Sequence, residues 1–271
     1  MVKTNFHAHT IHCDGQNTAR EMVEAALREG MTALGFSGHS VTPFDLRYCI
    51  QPDGEAQYVA DIQKEREAFA GQIEIYIGIE DDIFGQRPSF RPDFVIGGTS
   101  FLEVGGCHYT IDENEPQLCR CVREAFGGDF YKMSAHYFSV MAGAKDVTNC
   151  DFVAHFDLIT KFNEDGHLFD VQDPRYRKPA LEALEHLCSQ GLCFEINTGG
   201  MSRGYRTAPY PDFGFLKAIR EFGGSIVINS DSHCARHIFY RHDLAVELAL
   251  EAGFRSQRIL TPTGWQDVGL I

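Results

Sequence analysis

Short, nearly continuous apolar runs alternate along this chain with segments whose apolar residues recur at helical spacing. The runs Val2–Phe6, Thr32–Phe36, Ile73–Ile79, Asp93–Ile96, Asp151–Ala154, Leu192–Ile196 and Ser225–Ile228 predict seven strands. Runs such as IYIGI and SIVIN lack a polar face, which suits strands buried on both sides. Between them, Met22, Val23, Ala26 and Leu27 form the stripe of a helix that Asn17 or Thr18 can cap and Gly30 stops. Further helices are predicted at 54–70, 115–125, 131–144, 174–190, 211–222 and 243–252. Regular strand–helix alternation argues for a parallel sheet. An eighth strand could lie around Glu103–His108. An open doubly wound sheet is the alternative architecture.

Polar residues at the strand ends decide between the two. His7, His9 and Asp14 follow the first run; His39, Glu80, His108 and His155 follow later ones; Asp231 and His233 follow the last. Side chains two apart on extended backbone share a face, so His7 and His9 can grip one cation, and Asp231 and His233 can serve adjacent ones. Six imidazoles and three carboxylates in such positions predict a multinuclear metal centre. They can meet easily around a ring, whereas the edges of an open sheet lie far apart. Closure is expected, with the site at the C-terminal rim where barrel enzymes place their chemistry. Nitrogen-rich donors suit Zn, Fe or Mn better than Ca or Mg. Nine donors are too many for one ion and awkward for two, so three are expected.

Composition narrows the partners. With 38 acidic residues against 24 Lys plus Arg, the formal charge of −14 opposes nucleic-acid binding. A small phosphorylated substrate stays compatible, because bound cations reverse the field in a cleft. Nine cysteines at irregular spacing fit neither a disulfide framework nor a structural zinc site. Without a recognisable signal or membrane-spanning run, a cytoplasmic, single-domain chain (1–271) is expected, and no protein partner is identifiable. For phosphate, the candidate donors are Arg203 and Arg206, in the loop beyond Glu195-Ile196-Asn197, and Lys161. His12 is expected on the turn surface or just behind the ligands, and Asp157 as an acceptor behind a ligand imidazole. A Ser/His/Asp triad is disfavoured, since no G-x-S-x-G elbow is present.

The order of these motifs resembles the polymerase-and-histidinol-phosphatase (PHP) superfamily. The matching residues are His7-Ala8-His9, Asp14, His39, Glu80 in YIGIED, His108, His155 and Asp231-Ser232-His233. FHAHTIHCDG, SGHS, VAHFDLITKFNE, FEINTGG and INSDSH are similar to its monofunctional histidinol-phosphate phosphatase branch. The segment GGTSFLEVGGCH departs from it, being longer and richer in glycine. The resemblance implies a distorted seven-stranded (β/α)7 TIM-like barrel hydrolysing L-histidinol phosphate to L-histidinol and phosphate. It implies one ion on His7, His9, Glu80 and Asp231, a second on Glu80, His108 and His155, and a third on Asp14, His39 and His233. Asp231 is the expected proton-transfer group, with His233 next. Alternative readings are a phosphoesterase for another small metabolite or nucleotide, and a non-catalytic metal-binding barrel.

Overall fold

The structure, a computed structural model, describes residues 2–271. Strand β1 (Thr4–Asn5) leads through the His7–Gly15 loop into α1 (Ala19–Arg28). This helix starts where the chain supplies a reciprocal cap. The Thr18 hydroxyl accepts from the Glu21 backbone N–H, and the Glu21 carboxylate accepts from that of Thr18. Its predicted stripe of Met22, Val23 and Ala26 is buried.

There follow β2 (Ala33–Phe36), α2 (Glu55–Ala68), β3 (Glu74–Asp82) and β4 (Phe94–Gly98). Next come β5 (Phe101–Val104), β6 (Cys107–Thr110), α3 (Glu115–Phe126), α4 (Phe130–Ala142), α5 (Ala144–Thr148) and β7 (Phe152–Val153). The last part holds α6 (Pro174–Ser189), β8 (Cys193–Asn197), α7 (Gly199–Ser202), α8 (Phe213–Glu221), β9 (Ser225–Asn229), α9 (His242–Glu251), β10 (Ser256–Thr261) and β11 (Gly264–Gly269).

Seven parallel strands run in the order β1-β2-β3-β4-β7-β8-β9. The ring closes just beyond its first and last strands. There the His9 N–H donates to Ser232 O at 2.9 Å and the Ser232 N–H donates to His7 O at 3.1 Å. This excludes the open sheet and joins the first candidate ligand motif directly to the last.

The barrel interior is filled by Phe6, Phe94, Phe152 and Val227. Phe94 reaches its place because Gly35 and Gly78 carry no side chain. A Cβ on Gly78 would lie 2.3 Å from Phe94 Cζ, and one on Gly35 2.7 Å from the same ring. A hairpin of β10 and β11 plugs the end of the barrel opposite the ligand-bearing rim, through Ile259, Leu260 and Trp265. The Trp265 indole N–H donates to Asp151, at the entry to β7. The apolar pattern predicted none of this hairpin.

Two other expectations change. The candidate eighth strand is instead an antiparallel hairpin, β5–β6, outside the ring. Gly105 and Gly106, with φ of 60° and 78°, form its two-residue turn, as type I′ geometry requires. The helix predicted at 131–144 begins at Phe130, because Asp129 caps it by accepting from the Tyr131 and Lys132 N–H groups. It breaks at Gly143, and the short α5 follows.

Candidate metal centre

Parallel strands aim their C-terminal ends at one rim, and eight of the nine predicted ligands meet there. His7 and His9 are fully buried, sharing one face of the segment after β1. The Nε2 of His7 lies 3.1 Å from Glu80 Oε2 and 3.5 Å from Asp231 Oδ1; that of His9 lies 3.4 and 3.3 Å from the same atoms. A second group surrounds Asp14, whose Oδ2 is 3.1 Å from His233 Nε2 and whose Oδ1 is 3.6 Å from His39 Nε2. The His9 ring stacks on His233 at 4.1 Å and lies 4.4 Å from His39, linking the groups. His155 Nε2 reaches Glu80 Oε1 at 3.0 Å.

His155 and Asp231 have φ of 21° and 46°, unusual for residues with side chains. Such strained backbone concentrates at functional sites. Asp231 also needs a neighbour without a side chain, since a Cβ on Gly199 would lie 2.6 Å from its Oδ2.

The donor set fits cations by a test independent of resemblance. His7 Nε2, His9 Nε2 and Glu80 Oε2 are buried and have no hydrogen-bond partner. Buried polar atoms are nearly always satisfied, and a cation would satisfy all three. These donors, like those of the Asp14 group, lie close enough together to share one ion.

Electrostatics agree with this. Burial disfavours charge on Glu80, yet the His39 and His7 imidazoles hold its carboxyl well below the usual range. Burial likewise opposes Asp231, but the Arg203 guanidinium and His7 keep it ionised. Burial and the charges of His233 and His39 push His9 down to about 3. For His39 burial is outweighed by Glu80 and Asp14, which raise it to about 9. The carboxylates thus stay ionised, and a protonated His39 sits between Glu80 and Asp14 in a place that a cation would take.

His108 does not join the centre. It sits on β6 with its ring stacked 3.7 Å from Phe44, its Nε2 3.6 Å from Glu103. The β5–β6 turn carries it away from the rim, so the expected second ion loses a ligand. Asp157 is also corrected: its carboxylate accepts from the Asp212 N–H at 3.0 Å and meets no imidazole. His12 lies on the periphery as expected, 3.0 Å from Asp61.

Glu195 was missed. Its Oε1 is 2.7 Å from His7 Nδ1, so it accepts that proton and leaves Nε2 free to face the cluster. The same carboxylate accepts from Asn229, Asn197 and the His155 backbone N–H.

The rim opens into a cavity of about 320 Å³. Arg203 lies on its wall, with Nη2 2.9 Å from Asp231 Oδ2 and Nη1 2.8 Å from His233 Nδ1. Lys161 lines another part, donating to Asp112 O at 2.6 Å beneath the Tyr205 ring. Arg206 is not on the wall. It bonds to Thr160 and Glu164 and stacks over Tyr210, which removes it as a phosphate contact.

A closed parallel barrel with imidazoles and carboxylates converging on one rim defines a metallohydrolase-like site. The chain belongs to the PHP domain family, which it matches over residues 5–199. It is 30% identical over 261 residues to a probable histidinol-phosphatase of Deinococcus radiodurans, covering 92% of this chain and 94% of that one. The histidinol-phosphatase of Bacillus subtilis is 24% identical over 276 residues, covering 91% and 99%. The fold matches a histidinol phosphate phosphatase of Lactococcus lactis, solved with Zn, L-histidinol and phosphate. That match has a TM-score of 0.72 at 19% identity and covers 97% of this chain and 98% of the other.

Proposed function

We propose that this chain is a metal-dependent phosphomonoester hydrolase converting L-histidinol phosphate and water to L-histidinol and phosphate. The observation that carries this reading is the set of unpartnered buried donors on His7, His9 and Glu80, opening into a cavity walled by Arg203 and Lys161. The full-length likeness to histidinol-phosphatases selects the substrate.

Zn, Fe or Mn suits these donors. His7, His9, Glu80 and Asp231 would hold one ion, and Asp14, His39 and His233 another. Bound ions would supply an activated water and neutralise phosphoryl oxygens. The protein's share is orientation, charge and proton handling. Glu195 fixes the tautomer of His7. Arg203 holds Asp231 and His233 in place and presents a cation to the phosphate. Asp231, held as a carboxylate by Arg203 and His7, is the proposed proton acceptor as well as a ligand to the first ion.

Substrate recognition follows from charge on the far wall. Asp45 and Glu113 line the cavity, but both are paired with Arg47, at 2.6 and 2.9 Å. The Asp112 carboxylate is engaged less closely, 3.7 Å from Lys161, and is the better partner for the ammonium of histidinol phosphate. No helix among the described residues is long and apolar enough to cross a membrane, and a cytoplasmic, single-unit enzyme suits this reaction.

The test is a panel of phosphomonoesters assayed with metal content measured on the same sample. Histidinol phosphate should have the highest kcat/KM. A large preference for a nucleotide or sugar phosphate would reassign the substrate. No turnover by metal-loaded protein would make the barrel a binding protein.

A further inference from the structure

The family resemblance implies three ions at the rim, whereas the described residues form two groups of closely spaced donors. Strand β4 lies between β3, which delivers Glu80, and β7, which precedes His155. Its end is therefore where another ligand to an ion between Glu80 and His155 belongs. A Cβ on Gly98 would stand 3.5 Å from His155 Cε1, so the backbone does come to that place. Yet the residues there are Gly97, Gly98, Thr99 and Ser100, which offer no imidazole, carboxylate or thiolate.

The neighbouring groups are committed elsewhere. The Thr99 hydroxyl donates to Phe101 O at 2.8 Å. Asp82 accepts from the Ser100 and Phe84 N–H groups, both at 2.8 Å, so its carboxylate faces this loop. His108, the expected ligand, is on the outer hairpin. His155 itself lacks support: its Nδ1 is buried without a partner, whereas Glu195 orients the Nδ1 of His7. Metal-bound imidazoles nearly always have that second nitrogen hydrogen-bonded.

We infer that the chain retains two divalent ions tightly, and that the position between Glu80 and His155, with two protein donors, is labile. Catalytic zinc sites ordinarily keep three protein ligands, and this position falls short. The inference rests on the rim being a metal centre, as the proposed function does. Metal count and turnover are separate readouts, so each can fail without the other.

Metal-free protein is reloaded with Zn²⁺, passed through a desalting column in metal-free buffer, and its zinc counted by mass spectrometry. Two ions per chain are expected. Titration calorimetry with Zn²⁺ should show any further ion binding at least about 10-fold more weakly, in line with the loss of a supported ligand. His155→Asn should still retain two, and His39→Ala one, with circular dichroism reporting the fold of each. Ser100 lines the same cavity as Glu80 and His155, and Ser100→His should raise the count to three. Any count other than two in the unchanged chain, or a drop to one in H155N, overturns the inference. An S100H variant that stays at two removes the end of β4 as its cause.

Discussion

Replacing Glu195 by glutamine should loosen the metal centre from behind, without touching the cavity. Glu195 accepts four hydrogen bonds. Oε1 takes His7 Nδ1 at 2.7 Å and Asn229 Nδ2 at 3.0 Å; Oε2 takes Asn197 Nδ2 at 2.7 Å and the His155 N–H at 3.2 Å. A glutamine has nearly the same shape, but it must turn an NH2 group toward one of these pairs. Two donors then face a donor, in a place that is fully shielded from water. Hydrogen bonds to charged groups contribute about 1.5–3 kcal/mol each, so the loss is larger than a surface change would give. If the amide nitrogen turns toward His7, the imidazole loses its acceptor and Nε2 loses its fixed direction. Removing such a support typically costs about 10–100-fold in metal affinity or activity. The assay is zinc affinity by competition with a chromogenic chelator, alongside kcat and KM for histidinol phosphate at saturating metal. Affinity and kcat should fall while KM stays near its original value. Zinc affinity within about twofold of the unchanged chain, in a folded E195Q, would refute the role assigned to Glu195.

Arg203→Ala should reduce kcat/KM by about 100-fold or more, because it removes the cation paired with Asp231 and, on the proposed reading, one presented to the phosphate. Arg203→Lys should restore little, since one ammonium cannot span Asp231 and His233; near-full activity in the lysine variant would show that charge alone suffices. His39 is raised to about 9 in the metal-free protein, so at neutral pH an incoming ion must displace its proton. Apparent zinc affinity should therefore rise with pH until about 9 and then level off, and calorimetry in buffers of different ionisation enthalpy should detect proton release. A flat affinity through that range would contradict a protonated His39. Gly78→Ala should lower stability by about 1–3 kcal/mol in urea unfolding, because its methyl group meets the Phe94 ring; an unchanged midpoint would mean the barrel core yields freely.

What the sequence disclosed follows from which signals are local. Each strand that carries a candidate ligand ends an apolar run, and the polar residue after it marks the rim, so the rim positions of His7, His39, Glu80 and Asp231 could be read one at a time. His108 misled for a physical reason. It follows a glycine pair much as a rim residue follows a strand, but Gly105 and Gly106 reverse the chain, so the histidine points outward along a hairpin. The true strand before it ends earlier, at Gly98, in residues with no ligand chemistry. Glu195 was hidden by the opposite effect. It sits inside the buried run Cys193–Asn197, where an acid is costly unless something neutralises or hydrogen-bonds it. That cost was a usable signal: a lone carboxylate in a strand buried on both faces has to meet donors from elsewhere in the fold. Those donors come from residues 7, 155, 197 and 229, and closing the ring brings them together. Candidate ligands can thus be inferred before the fold is known, whereas the groups that would orient them depend on which strands become neighbours.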